Sequence, residues 1–235
     1  MKIDFLAPGR RPTGPLSPDL IRTGVAGTEE AYINVSQGLA ALGHQVAVYA
    51  DCRDRAGRRD GVEWRDLDAF AGWTGADVFV TSELAPLLDR PPVQGARVYL
   101  WMHVHHDVGA VTRAGDRWDK LIVLSDYSRR AYADIPDERI FVSRNGVDLA
   151  HFDQPSVTRT PYRLAYGSDY DRGLMVLLHH WPRIRQVRPE ATLNVFYGWD
   201  MFDMKLAFLR RQGEPDALKW TNCGRKSSPG WLRKA

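Results

Sequence analysis

The densest run of side chains able to bind a metal or move a proton is Trp101-Met102-His103-Val104-His105-His106-Asp107. His103, His105 and Asp107 are spaced as H-x-H-x-D, one half of a zinc-hydrolase signature, but position 108 is valine where the next histidine belongs. Zinc takes three or four protein ligands, and His151, His179 and His180 stand at no spacing that completes such a set. Three readings stay open: a metal-dependent hydrolase site, plain histidines in a surface loop, or one histidine, His103, hydrogen-bonding a ligand in a cleft. The expectation carried forward is the last, with no metal.

Two further segments suit an anion. Gly24-Val25-Ala26-Gly27-Thr28-Glu29 lies between the first apolar strand pattern and the first helical pattern. Small residues there let the backbone approach a ligand, and the free N–H groups of a helix start attract phosphate. Any tight loop entering a helix has this composition, and the dinucleotide fingerprint Gly-x-Gly-x-x-Gly is absent. Tyr166-Gly167-Ser168-Asp169-Tyr170-Asp171-Arg172-Gly173 follows a later strand pattern. Gly167 and Ser168 offer backbone and hydroxyl donors, and Arg172 places a permanently charged fork at the helix start, shaped for two phosphate oxygens. A structural turn carrying a surface arginine would have the same sequence. Arg144-Asn145-Gly146-Val147-Asp148 predicts a turn at Asn-Gly, while Trp181, Tyr197 and Trp199 suit a core or a cleft wall.

Elements must hold these segments in place. Short runs rich in Val, Ile, Leu and Tyr predict strands at 2–7, 45–50, 76–81, 96–103, 120–124 and 139–143. Several are apolar almost throughout, as parallel strands covered on both faces are. A helix is expected over 28–42, capped by Thr28, with Glu29 and Glu30 at its positive end and Gly43 closing it. Alternating strands and helices predict an α/β fold with a doubly wound parallel sheet. LAHFDQPSVTRTP at 149–161, with Pro155 and Pro161, reads as linker. The alternation then resumes with a strand at 163–167, a helix at 173–187, a strand at 192–197, a helix at 202–212 and a strand at 218–222. The division expected is 1–150, a linker at 151–161, and an incomplete second domain at 162–235.

Composition narrows the class. The chain has 235 residues, 44% apolar and 26% charged, which is ordinary for a globular protein. It holds no apolar run of the roughly 20 residues that span a bilayer, and MKIDFLAPG reads as a first strand rather than a secretory leader. Cys52 and Cys223 are too few for a disulfide framework, so a reducing cytoplasm is expected. The net charge of +3 is mild. Arg53, Arg55, Arg58 and Arg59 fall in what reads as one polar loop, and Arg225, Lys226, Arg233 and Lys234 make the tail basic. Nucleic-acid binding wants basic residues interleaved with aromatics on one face, so it is not expected. A solvated surface, an anionic ligand or peripheral contact with an anionic membrane all fit these clusters.

In order along the chain, GVAGTEEAYINVSQGLAALGHQVAVYAD, LIVLSDYSRRAY, RIFVSRNGVDLAHF and YGSDYDRGLMVLLHHWPRIRQVRPEATLNVFYG resemble the retaining glycosyltransferases of family four, which have the GT-B fold. The first block is similar to that family's Gly-Gly-x-Glu loop, helix and GHxVxV strand, and the third to its NGVD exit from the first domain. The resemblance implies two Rossmann-like domains with a nucleotide-sugar, such as a UDP- or GDP-sugar, bound between them as donor substrate. It implies no cofactor, and a glycan, lipid or small-molecule acceptor bound by first-domain loops near 10–23 and 83–92. The leaving diphosphate gains negative charge as the sugar becomes oxocarbenium-like, so preorganised cations and backbone donors stabilise the transition state. By resemblance, Arg172 binds the diphosphate with Gly167, Ser168 and Gly173 beside it. Gly27 and Thr28 approach the phosphates from the first domain, and His103 faces the donor sugar as the catalytic residue. Gly198 and the turn Gly224-Arg225-Lys226 lie near the nucleoside.

The chain departs from the family at three places. Ala26 replaces one loop glycine, and the family's earlier arginine in the strand-helix turn has no counterpart beside Gly167 and Ser168. The later Glu-x7-Glu segment is absent, so a chain truncated in its second domain is expected. An inactive remnant that binds a nucleotide or a protein partner is the alternative to a working transferase.

Overall fold

The computed structural model describes residues 1–7, 9, 15–22, 24–82, 95–103, 108–149, 158–168, 170, 172–196, 203, 207, 210, 211 and 213. By the density of their contacts, Met1–Val147 and Asp148–Ala235 form two compact units.

The first unit is built on one eight-stranded sheet. Its strands are β1 (Lys2–Leu6), β2 (Gln45–Ala50), β3 (Gly57–Arg59), β4 (Val62–Asp66), β5 (Val78–Thr81), β6 (Arg97–Met102), β7 (Lys120–Val123) and β8 (Ile140–Val142). They lie in the order β3-β4-β2-β1-β5-β6-β7-β8. Every pair is parallel except β3 with β4. Within this order, β4-β2-β1-β5-β6-β7 is the Rossmann arrangement, in which the chain leaves β1 to one side and returns to add strands on the other. The α/β class expected from the alternation is the one found.

Strand alternation divides the apolar residues between two cores. One face buries Leu6, Tyr49, Phe79, Leu100 and Leu121 against Val111 and Tyr132. The other buries Ile3, Phe5, Val48, Val80 and Trp101 against Tyr32 and Ile33 of helix α1 (Gly27–Ala41). Val111 belongs to α2 (Val108–Arg113), and α3 (Asp126–Arg130) follows β7. Helical segments therefore cover both faces, which is why the strands read as almost wholly apolar.

Three local expectations need correction. Thr28 does not cap α1. Gly27 is already helical, and the extended residue before it is Ala26, whose side chain cannot accept a hydrogen bond. The arginine-rich stretch is not one loop either, since Arg58 and Arg59 lie in β3. Asp60 (φ 50°) and Gly61 (φ 79°) form the tight turn that returns the chain into β4. Asn145-Gly146 does not reverse the chain; the left-handed residue there is Arg144 (φ 58°).

The second unit holds β9 (Arg163–Tyr166) and β10 (Thr192–Val195), paired in parallel, with α4 (Leu174–Val187) between them in sequence. Tyr170 and Leu174 are buried against Tyr166, Leu178 and Val195. Helical backbone continues at residues 203, 207, 210 and 211. The linker over 151–157 and the strand expected at 218–222 lie outside the described residues.

Candidate functional site

Open α/β sheets bind ligands outside the carboxyl ends of their strands, where the strand order reverses. Here that place is the junction of β1 and β5, because β2 and β5 flank β1 on opposite sides. The paired strands end together at Leu6 and Thr81. Tyr32, fully buried on α1, reaches the end of this seam. Its hydroxyl donates to the Leu6 carbonyl oxygen (3.1 Å), accepts from the Ser82 N–H (3.0 Å) and lies 3.2 Å from Ser82 Oγ. The helical pattern in the sequence accounts for Tyr32 as a buried residue; its polar tip, which needs a partner once buried, is the signal that marks it as something more.

Beyond the seam, β6 delivers Trp101 and His103 to the same face of the sheet. The two rings are 4.5 Å apart, and the Tyr32 ring lies 5.4 Å from Trp101 and 6.3 Å from His103. Burial among these aromatics lowers the His103 pKa from 6.5, holding the imidazole neutral at physiological pH. Its Nε2 is buried with no hydrogen-bond partner among the described residues, and so is Trp101 Nε1. A neutral imidazole can accept or donate one hydrogen bond without charge, which suits it to a hydroxyl or a transferred proton.

The start of α1 lies on this edge as well. Its first turn carries Glu29 and Glu30, and its N-cap residue, Ala26, makes no side-chain capping hydrogen bond. Gly24 (φ 119°) needs the freedom of glycine, while a Cβ added at Gly27 would meet nothing within 4 Å. Space is therefore open at Gly27, and Thr28 is the second helical residue rather than the cap.

The carboxyl ends of β2 and β4 carry a different cluster. Asp51 is fully buried and receives both Arg53 Nε (3.0 Å) and a terminal Arg53 nitrogen (2.9 Å). The Arg53 N–H donates to Asp66 (2.6 Å), and the Asp51 carbonyl accepts from the Leu16 N–H (2.7 Å). This clasp fixes the chain returning from β1 and holds Cys52 beneath it, where burial pushes the thiol up to about 12.

No protein-family model matches this chain, and no curated protein matches it.

In the second unit, Gly167, Ser168, Arg172 and Gly173 all fall at the junction of β9 and α4. Gly173 is the residue before the helix and takes a left-handed conformation (φ 101°), so the N-cap position of α4 carries no capping side chain. Arg172 beside it is exposed and makes no ion pair with a described residue. Trp181 is half-buried on α4. Tyr197, Gly198, Trp199, Gly224, Arg225 and Lys226 lie outside the described residues, as do His105, His106, Asp107 and His151. Among the described residues no group of three His, Cys, Asp or Glu side chains could hold a metal ion.

Proposed function

We propose that this chain handles a nucleotide-activated sugar as part of a retaining glycosyltransferase of the GT-B type. The observation that carries the reading is the matched pair of uncapped helix starts. α1 and α4, the longest helices among the described residues, each follow a parallel strand and have an N-cap residue, Ala26 and Gly173, that makes no side-chain capping bond. The short helix α3, by contrast, is capped by Ser125, whose hydroxyl accepts from the Ser128 N–H at 3.0 Å. Free N–H groups at the positive end of a long helix suit a diphosphate, and Arg172 adds a charged fork at the second of them.

In this reading Arg172, Gly173 and the first turn of α4 stabilise the charge that develops on the leaving diphosphate. His103, neutral and with an Nε2 that no described residue satisfies, addresses the sugar. The donor is a UDP- or GDP-sugar, the acceptor is a glycan, lipid or small molecule, and the setting is cytoplasmic. No helix among the described residues is long and apolar enough to cross a membrane.

The test is a thermal-shift and calorimetric screen of UDP, GDP, ADP and their sugar conjugates. A ligand bound only by the folded chain raises its stability, by about 2.7 kcal/mol at a hundred times its dissociation constant. Arg172→Ala is expected to weaken that ligand about tenfold to a hundredfold, since a hydrogen bond to a charged group contributes about 1.5–3 kcal/mol. Unchanged affinity in the variant would remove the diphosphate from this junction, and no response to any nucleotide sugar would sink the proposal.

A further inference from the structure

Four indole groups in the first unit show what burial demands of a tryptophan. Trp73 Nε1 donates to Asp4 (2.7 Å) and Trp118 Nε1 to the Val111 carbonyl oxygen (3.1 Å). The indole nitrogens of Trp64 and Trp101 are buried too, yet neither has a partner among the described residues. Trp64 belongs to β4, whose carboxyl end meets the Asp51–Arg53 clasp. Trp101 is different because a second orphaned nitrogen, His103 Nε2, stands on the ring 4.5 Å away.

A buried polar group without a partner costs folding free energy, so two together at the carboxyl edge of a sheet imply a third group that satisfies both when it arrives. Trp101 can only donate. Neutral His103 accepts at whichever ring nitrogen lacks its proton. With Nε2 as the unprotonated nitrogen of His103, the pair is one donor and one acceptor, and a hydroxyl, which accepts and donates at one atom, fits both at once. A carboxylate or phosphate oxygen only accepts, and an ammonium only donates.

We propose that Trp101 is a ligand-recognising residue, whose indole N–H and His103 Nε2 together seat one neutral hydroxyl of a polyol. This rests on the reading of His103 as the residue that faces the sugar, and adds to it a tryptophan and a choice of hydroxyl over anion. Tyr32 packs behind both rings and holds them in position through its own bonds to β1 and Ser82.

The experiment follows the Trp101 indole N–H and the His103 ring nitrogens by 15N NMR in the unsubstituted protein, assigned through bonds so that no variant has to fold. The probes are UDP-glucose, GDP-mannose, UDP, GDP and the simple polyol methyl glucoside, with calorimetry on the same samples. The expected result is that a hydroxyl-rich probe moves the Trp101 and His103 signals together, while UDP and GDP leave them in place. Trp101→Phe should then weaken that probe about three- to tenfold, the range of one neutral hydrogen bond. Signals unmoved by every probe would overturn the seat. In that case heat from a nucleotide sugar would leave the transferase reading standing, and no heat would end both.

Discussion

At the scale of single residues, His103 carries a prediction with a defined sign. Its pKa is lowered in the folded chain by burial, so the unfolded chain binds the proton more readily. The stability that neutral His103 contributes is complete above its unfolded value of 6.5 and is lost as pH falls through the lower folded value. His103→Phe keeps a ring of similar size and removes both nitrogens, including an Nε2 that no described residue satisfies. Its melting temperature should therefore fall less than that of the parent between about pH 7 and about pH 5, the window in which histidine titrates. Identical pH dependence in the two proteins would show that the imidazole is not buried in solution. That His103 sits at the end of a buried strand was legible from the apolar run before it. That the Trp101 indole N–H lies buried beside it with no partner among the described residues was not, because a tryptophan inside such a run reads as core, and only packing shows whether its N–H finds a partner.

Among elements, the β3–β4 hairpin shows where sequence reasoning stopped and why. Four arginines in seven residues, 53–59, suggested a solvated loop, because charge is usually found at the surface. Asp60-Gly61 was the better signal, since that dipeptide supplies the two positive φ angles a tight hairpin needs. Gly61→Ala should lower the urea midpoint by an amount equivalent to about 1–2 kcal/mol, the cost of a left-handed L-residue. Part of that cost comes from crowding, since a Cβ at Gly61 would lie 3.1 Å from Ala40 Cβ on α1. A variant as stable as the parent would mean that the hairpin turns elsewhere. The parallel strands of the first unit other than β4 were legible to within two residues, because burial on both faces leaves an apolar run that polar loops interrupt; β4 was not, since Glu63 and Arg65 break its apolar run. The start of α1 was misplaced by one residue, since Gly27 and Thr28 are both acceptable near a helix start and only backbone geometry chooses between them.

For the molecule as a whole, Cys52 offers a probe of the first unit's integrity. The thiol is fully buried, and with a pKa near 12 it is protonated at neutral pH, whereas alkylation requires an accessible thiolate. Peptide mapping after iodoacetamide treatment should find Cys52 unmodified in the native protein and labelled only as the unit unfolds in urea. Labelling well below the unfolding midpoint would show that the Asp51–Arg53 clasp opens independently of the sheet. The seam between β1 and β5 has a related consequence. All the strands on either side of that line belong to one sheet only because these two backbones stay joined, and a ladder normally frays from its last rung. Here the amide just past the last rung, on Ser82, is fastened to the Tyr32 hydroxyl. The carboxyl end of the seam is thus riveted by a side chain from α1, and deuterium should enter at Ser82 as slowly as it enters in mid-strand.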